Sequence, residues 1–62
     1  MYTAIIRFTV GNGIENRKGT FSTYQEMVEK SERFINALQE IGGTPYSVKY
    51  DYQSGKSYTK KF

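Results

Sequence analysis

The chain has no cysteine, no histidine and no tryptophan, and its single proline is Pro45. Without cysteine there are no disulfides and no thiolate metal sites. Without histidine there is no imidazole ligand and no imidazole catalysis. Lack of cysteine also fits a reducing compartment. Long apolar runs are missing as well. The longest near the N-terminus is Ala4-Ile5-Ile6, far short of a signal-peptide core or a membrane span. A soluble, cytoplasmic protein is expected, with no membrane partner.

Catalytic equipment is sparse. Acid–base chemistry is left with six carboxylates. Glu29 and Glu32 sit i,i+3 on a helical stretch, a spacing that suits a carboxylate pair or an oxygen-ligand cation site. They read better as solvated surface charges, one of them already i,i+4 from Arg33. Gly11-x-Gly13 lacks the setting of a phosphate loop, which must open a helix so that amide N–H groups face the anion. This one joins two strand-like runs. We therefore expect no catalytic residues, no metal, no cofactor and no enzymatic activity.

What is present is rings and periodicity. Sixty-two residues make one small domain, residues 1–62, with six Tyr and four Phe to supply core area. A chain this short hides only about 60% of its unfolded surface. Small scaffolds need disulfides, a metal or a partner. Disulfides and thiolate or imidazole metal sites are excluded, which leaves good packing or self-association, and a homodimer is expected.

Thr23 to Ile41 is the organising stretch. On a helical wheel Tyr24, Met27, Val28, Ser31, Phe34, Ile35 and Leu38 share one stripe, with Ile41 at its margin. Glu26, Glu29, Arg33, Asn36 and Glu40 lie opposite. Ser22 or Thr23 can cap the start, with Gln25 or Glu26 as capping-box partner. Gly42-Gly43 ends the helix and Pro45 prevents its restart. Glu26–Lys30 and Glu29–Arg33 are i,i+4 pairs worth about 0.2–0.5 kcal/mol each.

Strand-like segments flank it. Tyr2, Ala4, Ile6, Phe8 and Val10 share one parity, expected to be the buried face. Ile5 is an apolar residue on the other. Asn12-Gly13 signals a hairpin. A two-residue turn there sets Phe21 against Ala4, Gly19 against Ile6 and Arg17 against Phe8. A three-residue turn sets Ile14 against Val10 and Lys18 against Ile6. The first is favoured at the Phe21 end, with Asn16 to Gly19 expected to be an irregular edge or loop.

After the helix, Tyr46, Val48, Tyr50 and Tyr52 alternate. A two-residue Ser54-Gly55 turn would oppose Lys49 and Lys60. A three-residue loop with Gly55 left-handed instead pairs Tyr50 with Tyr58 and Tyr46 with Phe62. The expected architecture is α+β, in the order ββαββ. An antiparallel sheet of three to four strands carries one helix on one face.

Charge is unevenly spread. The formal net charge is +3, and the helix carries −2 while the flanks carry +5. In the expected register Tyr46, Tyr50, Tyr58 and Phe62 face the helix. The opposite face then holds Ser47, Lys49, Asp51, Ser57, Thr59 and Lys61 with Thr3, Arg7 and Thr9, hydroxyl-rich and basic but without rings. Tyr52 and Tyr2 are expected at the sheet rim.

Two functions fit this layout. The first is a stand-alone protein-binding module, an inhibitor or adaptor that occupies a partner's surface through faces of different chemistry and exposed strand edges. The chain begins with Met and shows no linker, so a complete small gene product is expected. Small independent chains of this kind are commonly accessory proteins of phages or mobile elements. The second is a nucleic-acid-binding protein using the basic sheet face and the C-terminal hairpin. For either partner, the expected contact residues are Arg7, Lys49, Tyr52, Lys56, Lys60 and Lys61. With the rings turned inward, single-strand stacking lacks its platform, and the protein-binding function ranks first.

Overall fold

The computed structural model describes all residues, 1–62. The elements run β1 (Tyr2–Val10), β2 (Gly13–Phe21), α1 (Tyr24–Glu40), β3 (Thr44–Asp51) and β4 (Ser57–Lys61). Together they form the expected α+β domain. The four strands make one antiparallel sheet in the order β2-β1-β3-β4, so β1 and β3 are central and β2 and β4 are edges.

The helix ends are as the sequence signals. The Thr23 hydroxyl accepts from the Glu26 N–H at 3.1 Å and caps the start. At the other end the Gly42 N–H donates to Gln39 O at 3.1 Å and the Gly43 N–H to Leu38 O at 2.9 Å, a Schellman motif. α1 lies across β1, β2 and β3 and does not reach β4. Its stripe is narrower than the wheel suggests. Met27, Ser31, Ile35 and Leu38 are buried, whereas Tyr24 and Ile41 are exposed. The i,i+4 ion pairs do not close. Glu29 accepts from Gln25 Nε2 instead, at 3.1 Å.

Ala4, Ile6 and Phe8 from β1 meet Met27, Ile35 and Leu38 from α1 and Val48 and Tyr50 from β3. Tyr2, Phe21, Phe34 and Tyr52 pack around this cluster. The Phe34 ring stands edge-on to Phe8 at 5.3 Å and lies under the Arg17 guanidinium at 5.7 Å. Fully buried Met27 and Val48 mark the centre.

The first hairpin corrects the expected register. Val10 pairs with Gly13, so the turn is Gly11-Asn12, one residue earlier than expected. Gly11 has φ +66° and no non-glycine residue has positive φ. Glycine at the first central position with positive φ meets the demand of a type II′ turn. Neither register weighed on the sequence forms. Phe21 faces Tyr2, Gly19 faces Ala4, Arg17 faces Ile6 and Glu15 faces Phe8. Nor is Asn16–Gly19 irregular, because β2 is a continuous nine-residue strand. This register lets a polar strand run regularly: Arg17 reaches over the Phe34 ring rather than entering the core.

The second hairpin pairs Tyr50 with Tyr58 across a loop closed by the Tyr52 N–H on Lys56 O, with Gly55 at φ +90°. The Phe62 N–H donates to Tyr46 O at 3.0 Å, so the backbone contact reaches the second expected pair, but the paired register stops at Ser47–Lys61 and the two rings do not share a face.

Candidate functional site

The sheet face turned away from α1 is covered by no other element. Its composition follows from register, because directly opposed residues share a face. β1 contributes Thr3, Ile5, Arg7 and Thr9, and β2 contributes Ile14, Asn16, Lys18 and Thr20. β3 adds Ser47, Lys49 and Asp51, and β4 adds Ser57, Thr59 and Lys61.

One irregularity changes this face. Arg7 pairs with Ser47 but Phe8 pairs with Pro45, leaving Tyr46 as an extra residue in β3. This is a β-bulge, a device that re-aims side chains. Pro45 takes the core side opposite Phe8 and is buried. Tyr46 turns to the open face and is 44% exposed. There it lines a shallow hollow of about 350 Å³ with Arg7, Ile14, Ser47 and Lys61. The expectation that Tyr46 faces the helix is thus corrected, and the open face does carry a ring.

Phe62 and Tyr58 need a second correction. Tyr58 keeps its expected side, opposite Tyr50, yet both it and Phe62 are 54% exposed. The helix simply does not extend over β4. Of the four rings assigned to the core, only Tyr50 is in it. Burial raises the Tyr50 phenol above its usual value, and the nearby Glu32 carboxylate adds to the effect.

The six expected contact residues do not converge. Arg7, Lys49 and Lys61 share the open face. Lys60 lies on the other side, within about 300 Å³ of groove lined also by Glu32, Asn36 and Phe62, its Nζ 5.6 Å from the Phe62 ring. Lys56 closes the second turn through its carbonyl. Tyr52 packs edge-on against Tyr24 at 5.4 Å, and Tyr24 contacts Tyr2 at 6.3 Å. The neighbouring Tyr24 hydroxyl, as a hydrogen-bond partner, raises the Tyr52 phenol, with burial adding. These three tyrosines close one end of the molecule.

Lys18, Ile14 and Tyr46 on this face escaped the sequence reading. Lys18 and Ile14 join it because β2 is a regular strand throughout and not an irregular edge at Asn16–Gly19, and Ile14 is 56% exposed. Tyr46 had a usable signal: proline inside a strand is confined to edges and bulges, and Pro45 is in a central one. The face then holds Arg7, Lys18, Lys49 and Lys61 against Asp51 alone, the whole +3 excess of the chain. Asp51 lies 3.9 Å from Lys49. The rest of the molecule balances to neutrality.

No helix is long and apolar enough to cross a membrane. Comparison with family models, curated proteins and solved structures finds no match for this chain.

Proposed function

We propose that the chain is a non-enzymatic protein-binding module, an inhibitor or adaptor that covers an acidic patch of its partner with the open sheet face. The observation that carries this reading is the grouping of Arg7 and Lys61 beside Tyr46 and Ile14, with Lys18 and Lys49 flanking Ile5 further along the same face that α1 leaves bare. Tyrosine and aliphatic side chains set among cations on one face are the arrangement of a protein interface, where tyrosine and arginine are enriched. The cations would steer encounter with an acidic surface more than they would hold it.

The immobilised chain tests this against lysate of its source cells, beside the double variant Arg7→Glu with Lys61→Glu. A discrete protein should be retained by the natural chain, released by salt and absent with the variant. Retention of nothing, or of the same proteins by both, defeats the reading.

A second function draws on one specific observation, the bulge that brings Tyr46 onto the cationic face. A ring among lysines can stack on an unpaired base while the cations meet phosphate. Four cations give a modest salt slope, about −3 on a log–log plot for a single strand. Mixed-sequence single-stranded DNA and RNA, titrated at about 50 mM salt, separate the two: binding that falls with that slope favours nucleic acid.

A further inference from the structure

We propose that the free edge of β4 pairs antiparallel with β4 of a second copy, centred on Thr59, to give a dimer with one continuous sheet. This goes beyond the partner reading and does not depend on it.

The hydrogen-bond phase of β4 fixes which groups are free. The Tyr52 N–H bonds Lys56 O, and the Phe62 N–H bonds Tyr46 O. In an antiparallel ladder such pairs alternate along the strand. The even-numbered residues Lys56, Tyr58, Lys60 and Phe62 therefore spend their backbone groups on β3. Ser57, Thr59 and Lys61 point theirs outward, and nothing lies beyond them, because β4 is the last strand of the sheet. A row of unspent N–H and C=O groups is a template for another strand.

Register then selects the partner. With a two-fold axis at Thr59, that residue bonds its own copy and Ser57 bonds Lys61 in both directions. The side chains fall into place on both faces. On the helix side Lys56, Tyr58, Lys60 and Phe62 alternate cation and ring. Reversal about Thr59 sets each lysine opposite a ring: Lys60 against Tyr58, and Lys56 against Phe62. No lysine meets a lysine directly. The contact of Lys60 Nζ with the Phe62 ring at 5.6 Å within one chain displays the same chemistry. Shifting the axis to Lys60 would oppose two ammonium groups, and shifting it to Tyr58 would oppose Lys56 and Lys60.

The other edge is built against this. Full-length self-pairing of β2 (Gly13–Phe21) is centred on Arg17 and would place two guanidinium groups face to face. The exposed β4 rings supply the apolar area that β2 lacks: Tyr58 and Phe62 are each 54% exposed because α1 stops short of them. A five-residue seam is small for an interface. The dimer should therefore be concentration-dependent, with a dissociation constant on the order of micromolar to millimolar. An axis perpendicular to the sheet would leave both cationic faces on the same side.

Light scattering and sedimentation equilibrium test this on the full chain from about 10 µM to 1 mM, bracketing that range. The mass should climb from 7.2 kDa towards twice that value. Thr59→Pro removes the outward donor at the axis and leaves the β3 ladder intact. It should weaken association roughly a hundredfold while circular dichroism keeps the native signature. Tyr58→Lys sets lysine against Lys60 and should weaken it about tenfold. Asn16→Pro, at the free edge of β2, should leave association unchanged. A natural chain that stays at 7.2 kDa throughout overturns the proposal. So does a folded Thr59→Pro that associates normally, or loss of the dimer in a folded Asn16→Pro. Should Thr59→Pro fail to fold, Tyr58→Lys decides, and undiminished association by it refutes the β4 seam.

Discussion

Gly19 sits in a regular strand with no unusual backbone angle, yet the space beside it is taken. A Cβ built there would lie 2.7 Å from Phe21 Cζ and 3.0 Å from Cε2. The Phe21 ring folds back over its own strand onto Gly19 and the small side chain opposite it, Ala4. Gly19→Ala must push this ring aside. Full burial of a Phe side chain is worth about 1.5–3 kcal/mol, so displacing this half-buried one costs about 1–1.5 kcal/mol. Against that, alanine in a strand interior is better than glycine by about 0.5–1 kcal/mol, through the unfolded chain's lost freedom. The net in the natural chain is a destabilisation of up to about 1 kcal/mol. In a Phe21→Ala background the obstacle is gone, and the same substitution should stabilise by about 0.5–1 kcal/mol. The coupling between the two positions is then about 1–1.5 kcal/mol. Urea unfolding of the four proteins measures it, at one fixed chain concentration because association shifts apparent stability. A coupling under about 0.5 kcal/mol, the range of independent sites, refutes the claim that the ring occupies this space.

Three further outcomes are expected. The Ser31 hydroxyl is buried in α1 with no hydrogen-bond partner, so Ser31→Ala should stabilise by about 1–2 kcal/mol, raising the thermal midpoint. A lower midpoint would mean that the hydroxyl is satisfied. Tyr50→Ala should cost about 2–4 kcal/mol and Tyr46→Ala about 0.5 kcal/mol or less, by urea denaturation, because the bulge parts them onto opposite sides. Equal costs would place both rings in one environment. The phenol of Tyr50 is raised in the folded chain, so its contribution is intact below the usual phenol value near pH 10 and is lost as pH rises through the folded value. Stability should therefore fall in alkali, and less steeply in Tyr50→Phe, as urea midpoints at pH 9 to 11.5 would report; identical slopes exclude Tyr50 as the source.

The parts legible in the sequence are those where one local rule acts alone. The helix was marked by a stripe, a Thr cap and a Gly42-Gly43 stop, and each is where the residues put it. The second hairpin was legible because charge decided it: the shorter turn opposed Lys49 and Lys60, and the longer one does form. The first hairpin was not, because glycines flank Asn12 on both sides. Asn-Gly is the stronger general signal, but Gly11 at positive φ satisfies the turn one residue earlier. Extent was hidden too. Parity says which side of a strand a ring takes, not whether a helix reaches that far. Tyr58 is on the expected side and bare all the same.

The bulge shows why core and open face cannot be argued separately in a domain this small. Strict alternation through β3 would bury Tyr46 opposite Phe8, where α1 already brings Phe34 within 5.3 Å. Three large rings at one level of a single-helix sandwich would force the helix away from the sheet, and overpacking of that kind costs about 1–3 kcal/mol. One extra residue in β3 substitutes the compact Pro45 for the ring. It also spends the missing proline N–H where the ladder is already broken. The same step delivers Tyr46 to the cationic face, beside Arg7 and Lys61. Relief of crowding on one side of the sheet and the only ring on the other therefore have a single cause, and any change that removes the bulge should disturb packing and partner binding together.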